Sequence, residues 1–136
     1  MLIHLNFVQL RIARPTDQLN KVVSFYRDGL GLKVLGGFKQ HSGYDGVFLG
    51  LPSFPYHLEF TQYESGSPCP APTKDNLLVF YMEDKGEIKE VIARLMKLGY
   101  PVVKPENPYW LENGHTFEDP DGWRVVLMNS PGISAN

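Results

Sequence analysis

The chain has 136 residues and a formal net charge of −2, with 13 Lys and Arg against 15 Asp and Glu. Hydrophobic residues make up 43% and charged residues 21% of the chain, and this globular composition excludes wholesale disorder. Because the charges nearly balance, no positive field gathers phosphates, and we expect no nucleic-acid partner. The single cysteine, Cys69, excludes an internal disulfide and a thiolate zinc cluster, and its proline-rich surroundings indicate an unreactive thiol. Without a secretory signal or a membrane-length apolar run, we expect a cytoplasmic protein with no membrane partner.

A strand followed by a helix opens the chain. Apolar and polar residues alternate over residues 7–13, which predicts a strand. Residues 16–28 carry apolar side chains at helical spacing, and Thr16 or Asp17 is expected to cap the N-terminus of this helix.

The second half repeats this order. Residues 77–82 form an apolar run typical of a strand, and residues 87–98 carry an apolar stripe at helical spacing. Both helices end in a Leu-Gly pair, Leu30-Gly31 in the first half and Leu98-Gly99 in the second. The repeat indicates two related modules.

Three more strands follow each helix, so that each half reads strand–helix–strand–strand–strand. The last two strands are joined by Asp-Pro-Asp-Gly at 119–122, a strong hairpin signal. An α+β fold follows, with one sheet face against the helices and the other free to line a groove. We predict a single domain over residues 1–136, with module 1 at 5–64, a proline-rich linker at 65–75 and module 2 at 76–131. The six remaining strands are predicted at 32–35, 47–51, 57–62, 101–103, 115–118 and 123–129.

The sequence resembles the vicinal oxygen chelate superfamily, which contains glyoxalase I, extradiol dioxygenases, and bleomycin and fosfomycin resistance proteins. The residues that carry the resemblance are LRIARPTDQLNKVVSFYRDGLGLKVL at 10–35, HLEF at 57–60 and TFEDPDGWRVVLM at 116–128. The resemblance implies two tandem βαβββ modules that form a cupped, mostly antiparallel mixed sheet with helices on its outer face and a site in the cup.

Metal-using members of that superfamily place ligands on the first and last strand of each module. Matched residue by residue, those positions hold Phe7, Glu59, Leu77 and Val126 here. Glu59 alone has a donor atom, and one carboxylate makes a poor site for a transition metal. A shift of one residue that brought Asn76 inward would turn Leu77 away from the cup, and strand alternation opposes it. We therefore expect no cofactor, with one divalent metal such as Zn, Ni, Mn or Fe as the alternative.

Strand alternation predicts which side chains face the cup. The predicted cup has an apolar centre surrounded by a few polar groups, as is usual for small-molecule sites. Its predicted ligand-binding residues are Phe7, Gln9, Arg11, His57, Glu59, Thr61, Leu77, Val79, Tyr81, Arg124, Val126 and Met128, together with Trp110 from a loop. The side chains of Val8, Leu10 and Ile12 are assigned to the core.

Glu59 is the candidate catalytic residue. A carboxylate in an apolar cup could anchor a cationic ligand or act as a base with a raised pKa. Alternatively, it forms an ion pair with Arg11 or Arg124. In glyoxalase-like proteins the position of Arg11 helps to hold a substrate carboxylate. Here it either does the same for an anionic ligand or neutralises Glu59.

Two histidines offer a further alternative. His57 shares a strand face with Glu59, and with His115 these residues could form a metal site of two imidazoles and a carboxylate. A histidine in a polar loop is more common, and we expect this for His115.

Three surface segments have alternative interpretations. Trp110 either lies across the mouth of the cup and stacks on a planar ligand or fills the core beneath the sheet. Residues 38–45 are predicted to be a flexible rim. Phe54 and Tyr56 are either exposed at a turn or buried against a partner chain.

Three functions are compatible with the sequence. The first is a metal-independent protein of the glyoxalase/bleomycin-resistance type that holds a small, partly aromatic or amphipathic ligand in the cup. The second is a divalent-metal-dependent, glyoxalase-like lyase or isomerase or, with less support, a ring-cleaving dioxygenase. The third is a non-catalytic module that acts by assembly. We favour the first and expect a homodimer.

Overall fold

A computed structural model of the chain describes residues 6–67 and 70–133. Cys69 therefore lies outside the described residues. Among those that are described, no helix is long and apolar enough to cross a membrane.

Module 1 contains four strands and one helical segment. Its sheet has the strand order β1-β4-β3-β2, in which β1 runs parallel to β4 and the other neighbours are antiparallel. The short helix continues directly into a π-helical turn, Phe25–Gly29, and Gly31 follows with a φ of 92° that only glycine adopts readily. The elements are β1 (Leu10–Pro15), α1 (Leu19–Ser24), β2 (Lys33–His41), β3 (Tyr44–Gly50) and β4 (Tyr56–Tyr63).

Module 2 repeats the order with shorter strands and a longer helix. The strand predicted at 101–103 is reduced to a single bridge between Val103 and Thr116, so the sheet has three strands in the order β5-β7-β6. Asp84 caps the helix by accepting hydrogen bonds from the backbone N–H groups of Gly86 and Glu87. The elements are β5 (Leu77–Tyr81), α2 (Lys85–Lys97), β6 (Gly114–Glu118) and β7 (Arg124–Met128).

One core serves both modules. The helices lie between the two sheets, and side chains from one face of each sheet pack against them. The buried core comprises Leu19, Val22, Val23, Phe25, Tyr26, Leu49, Leu58, Phe60, Ile88, Val91, Leu95, Phe117, Val125 and Leu127. The α+β class and the two-module architecture are thus confirmed, with the strands arranged as two sheets of four and three.

The first strand begins three residues after its predicted start at residue 7. It starts at Leu10, so Phe7 precedes the sheet and is 83% exposed. Val8, Leu10 and Ile12 were expected in the core, but Val8 precedes β1 and is 88% exposed, and Leu10 and Ile12 are 59% and 48% exposed. The reason is that β1 is an edge strand with a neighbour on one side only, and no described helix covers this part of it.

Two further local predictions are wrong. Residues 38–45 form the end of a β-hairpin, whose two-residue turn, Ser42-Gly43, has positive φ at both positions. The N-cap of α1 is Gln18, which makes no side-chain cap, since its side chain donates to Pro120 and Asp121. Thr16 Oγ1 accepts a hydrogen bond from the Gln18 N–H. The N–H of Leu19 is satisfied by the side chain of Gln62 in β4.

A buried polar cluster joins the modules. Arg14 of β1 forms ion pairs with Asp119 and Asp121 of the 119–122 turn. The Tyr26 hydroxyl donates to Asp119 over 2.8 Å, and burial raises the pKa of Tyr26 well above its ordinary value, which keeps the hydroxyl protonated. Burial also raises the pKa of the Asp119 carboxyl, against the opposing effect of Arg14. The cluster fixes the 119–122 turn of module 2 to module 1.

Candidate functional site

The face of the module 1 sheet that lies opposite the helices is open and polar. Backbone register places Arg11 beside His57, and Glu59 beside Phe48, in adjacent rows of this face. The other face of β4 carries Leu58 and Phe60 into the core, so the predicted alternation holds for this strand.

Arg11 lies at the centre of this face. Its Nε donates a hydrogen bond to His57 Nε2 over 2.8 Å, and its Nη1 lies 3.7 Å from Glu59 Oε1. Its guanidinium carbon lies 4.3 Å from the centre of the Phe48 ring, within the range of a cation–π contact. We call Arg11, His57, Glu59 and Phe48 the Arg11 cluster.

The cluster combines buried and accessible groups. His57 is 6% exposed and the Glu59 side chain 13%, whereas the Arg11 side chain is 45% exposed. Because Arg11 donates to Nε2, that nitrogen carries a lone pair, and a neutral His57 then holds its proton on Nδ1. Of the three polar side chains, the guanidinium is the one most open to an incoming ligand.

Two aromatic side chains extend this face beyond the predicted residues. The rings of Phe38 and Phe48 are 6.0 Å apart, and Phe48 lies 6.1 Å from the ring of His57. A Cβ at Gly46 would lie 2.4 Å from the Phe38 ring, and one at Gly36 would lie 3.2 Å from Phe48. Each ring thus lies close against a glycine of the neighbouring strand. The sequence signal was the alternation of Gly and Phe along β2 and β3, and of these strands only residues 38–45 are predicted to be a rim.

The corresponding face of module 2 is covered. Alternation correctly predicts which residues of β5 and β7 share this face, and the one-residue shift that would bring Asn76 inward does not occur. The neighbouring pairs are Leu77 with Arg124, Val79 with Val126, and Tyr81 with Met128. The three β7 side chains are at most 8% exposed, and Val126 is completely buried. Val126 and Met128 are therefore closed to a ligand within one chain.

The loop before β6 lies at the edge of this covered face. Trp110 closes a 3-10 turn, Pro108–Trp110, and its backbone oxygen would lie 2.3 Å from a Cβ at Gly114. Its ring is half-buried and contacts the 67% exposed Tyr109 edge to face. Neither of these aromatic residues belongs to the core cluster.

The structure does not bring the two predicted halves of the cup together. The Arg11 cluster belongs to the open face of module 1, and Val126 belongs to the covered face of module 2. Among the hydrogen bonds and ion pairs of residues 6–67 and 70–133, none joins these two faces. Gln9 is exposed, and Thr61 is half-buried on β4.

In residues 6–67 and 70–133 of one chain, the donor atoms near Glu59 are too few for a metal ion. His115 pairs with Leu127 and shares the helix-facing side of β6 with Phe117, so it cannot join His57 and Glu59. Across the described part of the chain, no group of three His, Cys, Asp or Glu side chains could hold a metal. Arg11 already provides a positive charge between His57 and Glu59, and a dication there would meet electrostatic repulsion.

An apolar groove of about 440 Å³ separates the modules. It lies beside β1 and β5, each of which pairs with a neighbour on one side only. Phe54 and Tyr56 lie at this groove, 43% and 48% exposed, with their rings 5.4 Å apart. Its other main contributors are Ile12, Leu30, Leu32, Leu58, Leu78, Phe80 and Met82.

Comparison with known proteins identifies the family. The YycE-like N-terminal domain model matches residues 10–61, and the YycE-like C-terminal domain model matches residues 75–129. The chain belongs to the YycE-like family. It is 57% identical to the uncharacterised protein YycE of Bacillus subtilis over 126 residues, covering 93% of this chain and 91% of that protein.

Solved structures show the same fold. A YycE protein of unknown function from Bacillus subtilis matches with a TM-score of 0.90 and 55% identity, covering 96% of this chain and 95% of that one. Glyoxalase I of Leishmania major matches with a TM-score of 0.71 and 23% identity (93% and 87% covered). TnmS3, an antibiotic binding protein from Streptomyces sp. CB03234, matches with a TM-score of 0.65 and 22% identity (93% and 98%). The vicinal oxygen chelate fold is therefore confirmed, whereas the chemistry depends on the residues of this chain.

Proposed function

We propose that the protein binds a small, partly aromatic or amphipathic molecule on the open face of module 1 without using a metal. The observation that carries this proposal is the position of Arg11, whose guanidinium contacts His57, Glu59 and Phe48 together. A fixed cation therefore lies where a metal-using relative would need a cluster of donor atoms.

The surroundings of Arg11 indicate the chemistry of the ligand. The rings of Phe38 and Phe48 offer an apolar surface for a planar group. The exposed part of the guanidinium retains N–H groups that would donate to a carboxylate or a carbonyl oxygen of the ligand. Glu59 positions Arg11 by charge and could accept a hydrogen bond from the ligand. TnmS3 binds an antibiotic on the same fold, which agrees with a binding role.

The alternative is a metal-dependent, glyoxalase-like lyase or isomerase. Its supporting observation is that Glu59 keeps a carboxylate on this face beside His57, two residues away on the same strand. For this activity Arg11 would have to leave both residues so that they could bind the ion. The fold shared with glyoxalase I is compatible with either function.

We propose further that the protein acts as a homodimer. Two sheet edges, at β1 and β5, have no pairing partner among the described residues, and they flank an apolar groove with exposed aromatic side chains. A second copy would cover the groove with the same elements in symmetric fashion. Sedimentation at micromolar concentration tests this: a dimer that Tyr56→Lys converts to a monomer is expected, and a monomeric parent protein would contradict it.

A thermal-shift screen with divalent metals and a panel of antibiotics and metabolites tests the proposed function. A ligand at one hundred times its Kd stabilises the folded state by about 2.7 kcal/mol, which raises Tm by several degrees. We expect such a ligand to act without metal and to lose its effect in Arg11→Gln. The matched control is Arg27→Gln, because Arg27 is also in module 1 but pairs with Asp28 on the outside of the π-helical turn.

The opposite outcome is equally specific. The binding proposal would be contradicted by isomerase activity on a methylglyoxal–thiol adduct that rises with Ni²⁺ or Zn²⁺ and disappears in Glu59→Ala. That result would favour metal-dependent catalysis.

A further inference from the structure

A second cavity, which is polar, lies between module 2 and the end of the linker, away from the Arg11 cluster. It has a volume of about 470 Å³ and is lined by Lys74, Lys104, Pro105, Glu106 and Arg124. Three of these five residues are cationic and one is anionic. None of them belongs to the Arg11 cluster.

Arg124 forms the base of this cavity. Its side chain is 5% exposed, which is unusual for a guanidinium because burial removes the hydration of the charge. Nη1 donates to the backbone oxygen of Lys104 over 2.8 Å, and Nε lies 3.3 Å from Glu118 Oε2. Within the part of the chain that the structure describes, Nη2 makes no hydrogen bond. Nε and Nη1 of the guanidinium are thus occupied, and Nη2 is the nitrogen left for a ligand.

The two lysines approach from the rim. Lys74 and Glu106 form a loose ion pair, with Nζ 3.9 Å from Oε1 and side chains that are 61% and 53% exposed. Pairs of this kind contribute little to stability, so Lys74 is available to another anion. Lys104, whose backbone oxygen accepts from Arg124, also lines the cavity. It is the third cationic residue there.

Charge therefore favours an anionic occupant. Counting the carboxylate that pairs with Arg124, three cations face two anions, and one of those anions is held only at the exposed rim. From this arrangement we propose that the cavity formed by Lys74, Lys104 and Arg124 is an oxyanion site. Its ligand is a phosphate or carboxylate group, either free or attached to a small organic molecule. A planar guanidinium and two exposed lysines match the acceptor oxygens of such a group.

A titration distinguishes a phosphate ligand from a carboxylate ligand. Inorganic phosphate and acetate are added separately to the ¹⁵N-labelled protein at constant ionic strength, and the amide signals of Lys104, Glu106 and Arg124 are followed. We expect a saturable shift of these signals with phosphate. Weaker or absent binding of acetate would assign the site to phosphate groups, tighter binding of acetate would assign it to carboxylates, and equal binding would show that it accepts either oxyanion.

Substitution of the lysines identifies the site without disturbing the buried arginine. Lys74→Ala and Lys104→Ala are each expected to raise the Kd about threefold, since water and salt screen a single exposed charge, and the double variant about tenfold. Lys89→Ala on α2 is the matched control, because it removes the same charge from a remote exposed position. Unchanged affinity in the double variant, an equal loss in Lys89→Ala, or no saturable shift with either anion would overturn the proposal.

Discussion

The two modules differ most on the faces that lie opposite their helices. In module 1 this face carries the Arg11 cluster and two phenylalanine rings, and the Arg11 side chain is 45% exposed. In module 2 the equivalent row contains Val126, which is completely buried, and Met128, which is 8% exposed. The same strand order thus supports an open polar surface in one module and a closed surface in the other. It follows that a shared fold does not determine where a ligand binds.

The largest expected effect is a difference in stability between variants of the two arginines of β1, Arg14 and Arg11. Arg14→Met would leave Asp119 buried without its cation, and we expect it to reduce the free energy of unfolding by about 3–5 kcal/mol. Arg11→Met removes an accessible arginine of the open face and should cost about 1 kcal/mol or less. Urea unfolding of both variants measures the difference. Equal losses would show that the open face is as important for stability as the buried polar cluster that joins the modules.

The closed face of module 2 should be sensitive to loss of volume. Val126→Ala removes two buried methylene equivalents and leaves a cavity, so we expect a loss of about 2 kcal/mol in the free energy of unfolding. Val34→Ala serves as the control, because Val34 is 49% exposed on β2. A loss below about 0.5 kcal/mol for Val126→Ala would contradict the burial of this row.

A smaller effect is expected from pH. Hydrogen bonds from Gln18 and Arg14 hold the pKa of the Asp121 carboxyl below its ordinary value, despite its partial burial. A depressed pKa in the folded state means that this carboxylate stabilises the fold above the unfolded pKa of about 3.9 and that the contribution is lost as pH falls further. Asp121→Asn should therefore make unfolding less dependent on pH below about pH 4. Parallel pH profiles for the variant and the parent protein would show that Asp121 does not couple the modules electrostatically.

Much of the fold could be predicted from the sequence, because its signals are local. The repeated strand–helix pattern, the Leu-Gly helix ends and the Asp-Pro-Asp-Gly turn each depend on neighbouring residues. The faces of β4, β5 and β7 followed from alternation alone. The edge position of β1 did not, because strand pairing decides it over a distance of more than forty residues. For that reason Leu10 and Ile12 were assigned to the core although they are exposed.

The candidate site was predicted only in part. Arg11, His57 and Glu59 share the open face as expected, and the alternative of an ion pair between Arg11 and Glu59 agrees with their separation of 3.7 Å. Phe48 was missed because its role depends on packing against glycine in a neighbouring strand. The closure of the module 2 face was missed as well, since alternation shows which way a side chain points but not what covers it.

The central claim is that Arg11 takes the place of a metal between His57 and Glu59. The most direct measurement is a titration with Ni²⁺ and Zn²⁺, followed through the ring signals of His57 in the parent protein and in Glu59→Gln. Our account predicts that the His57 signals do not respond to a stoichiometric amount of either ion. A saturable one-to-one response in the parent protein that is lost in Glu59→Gln would contradict it.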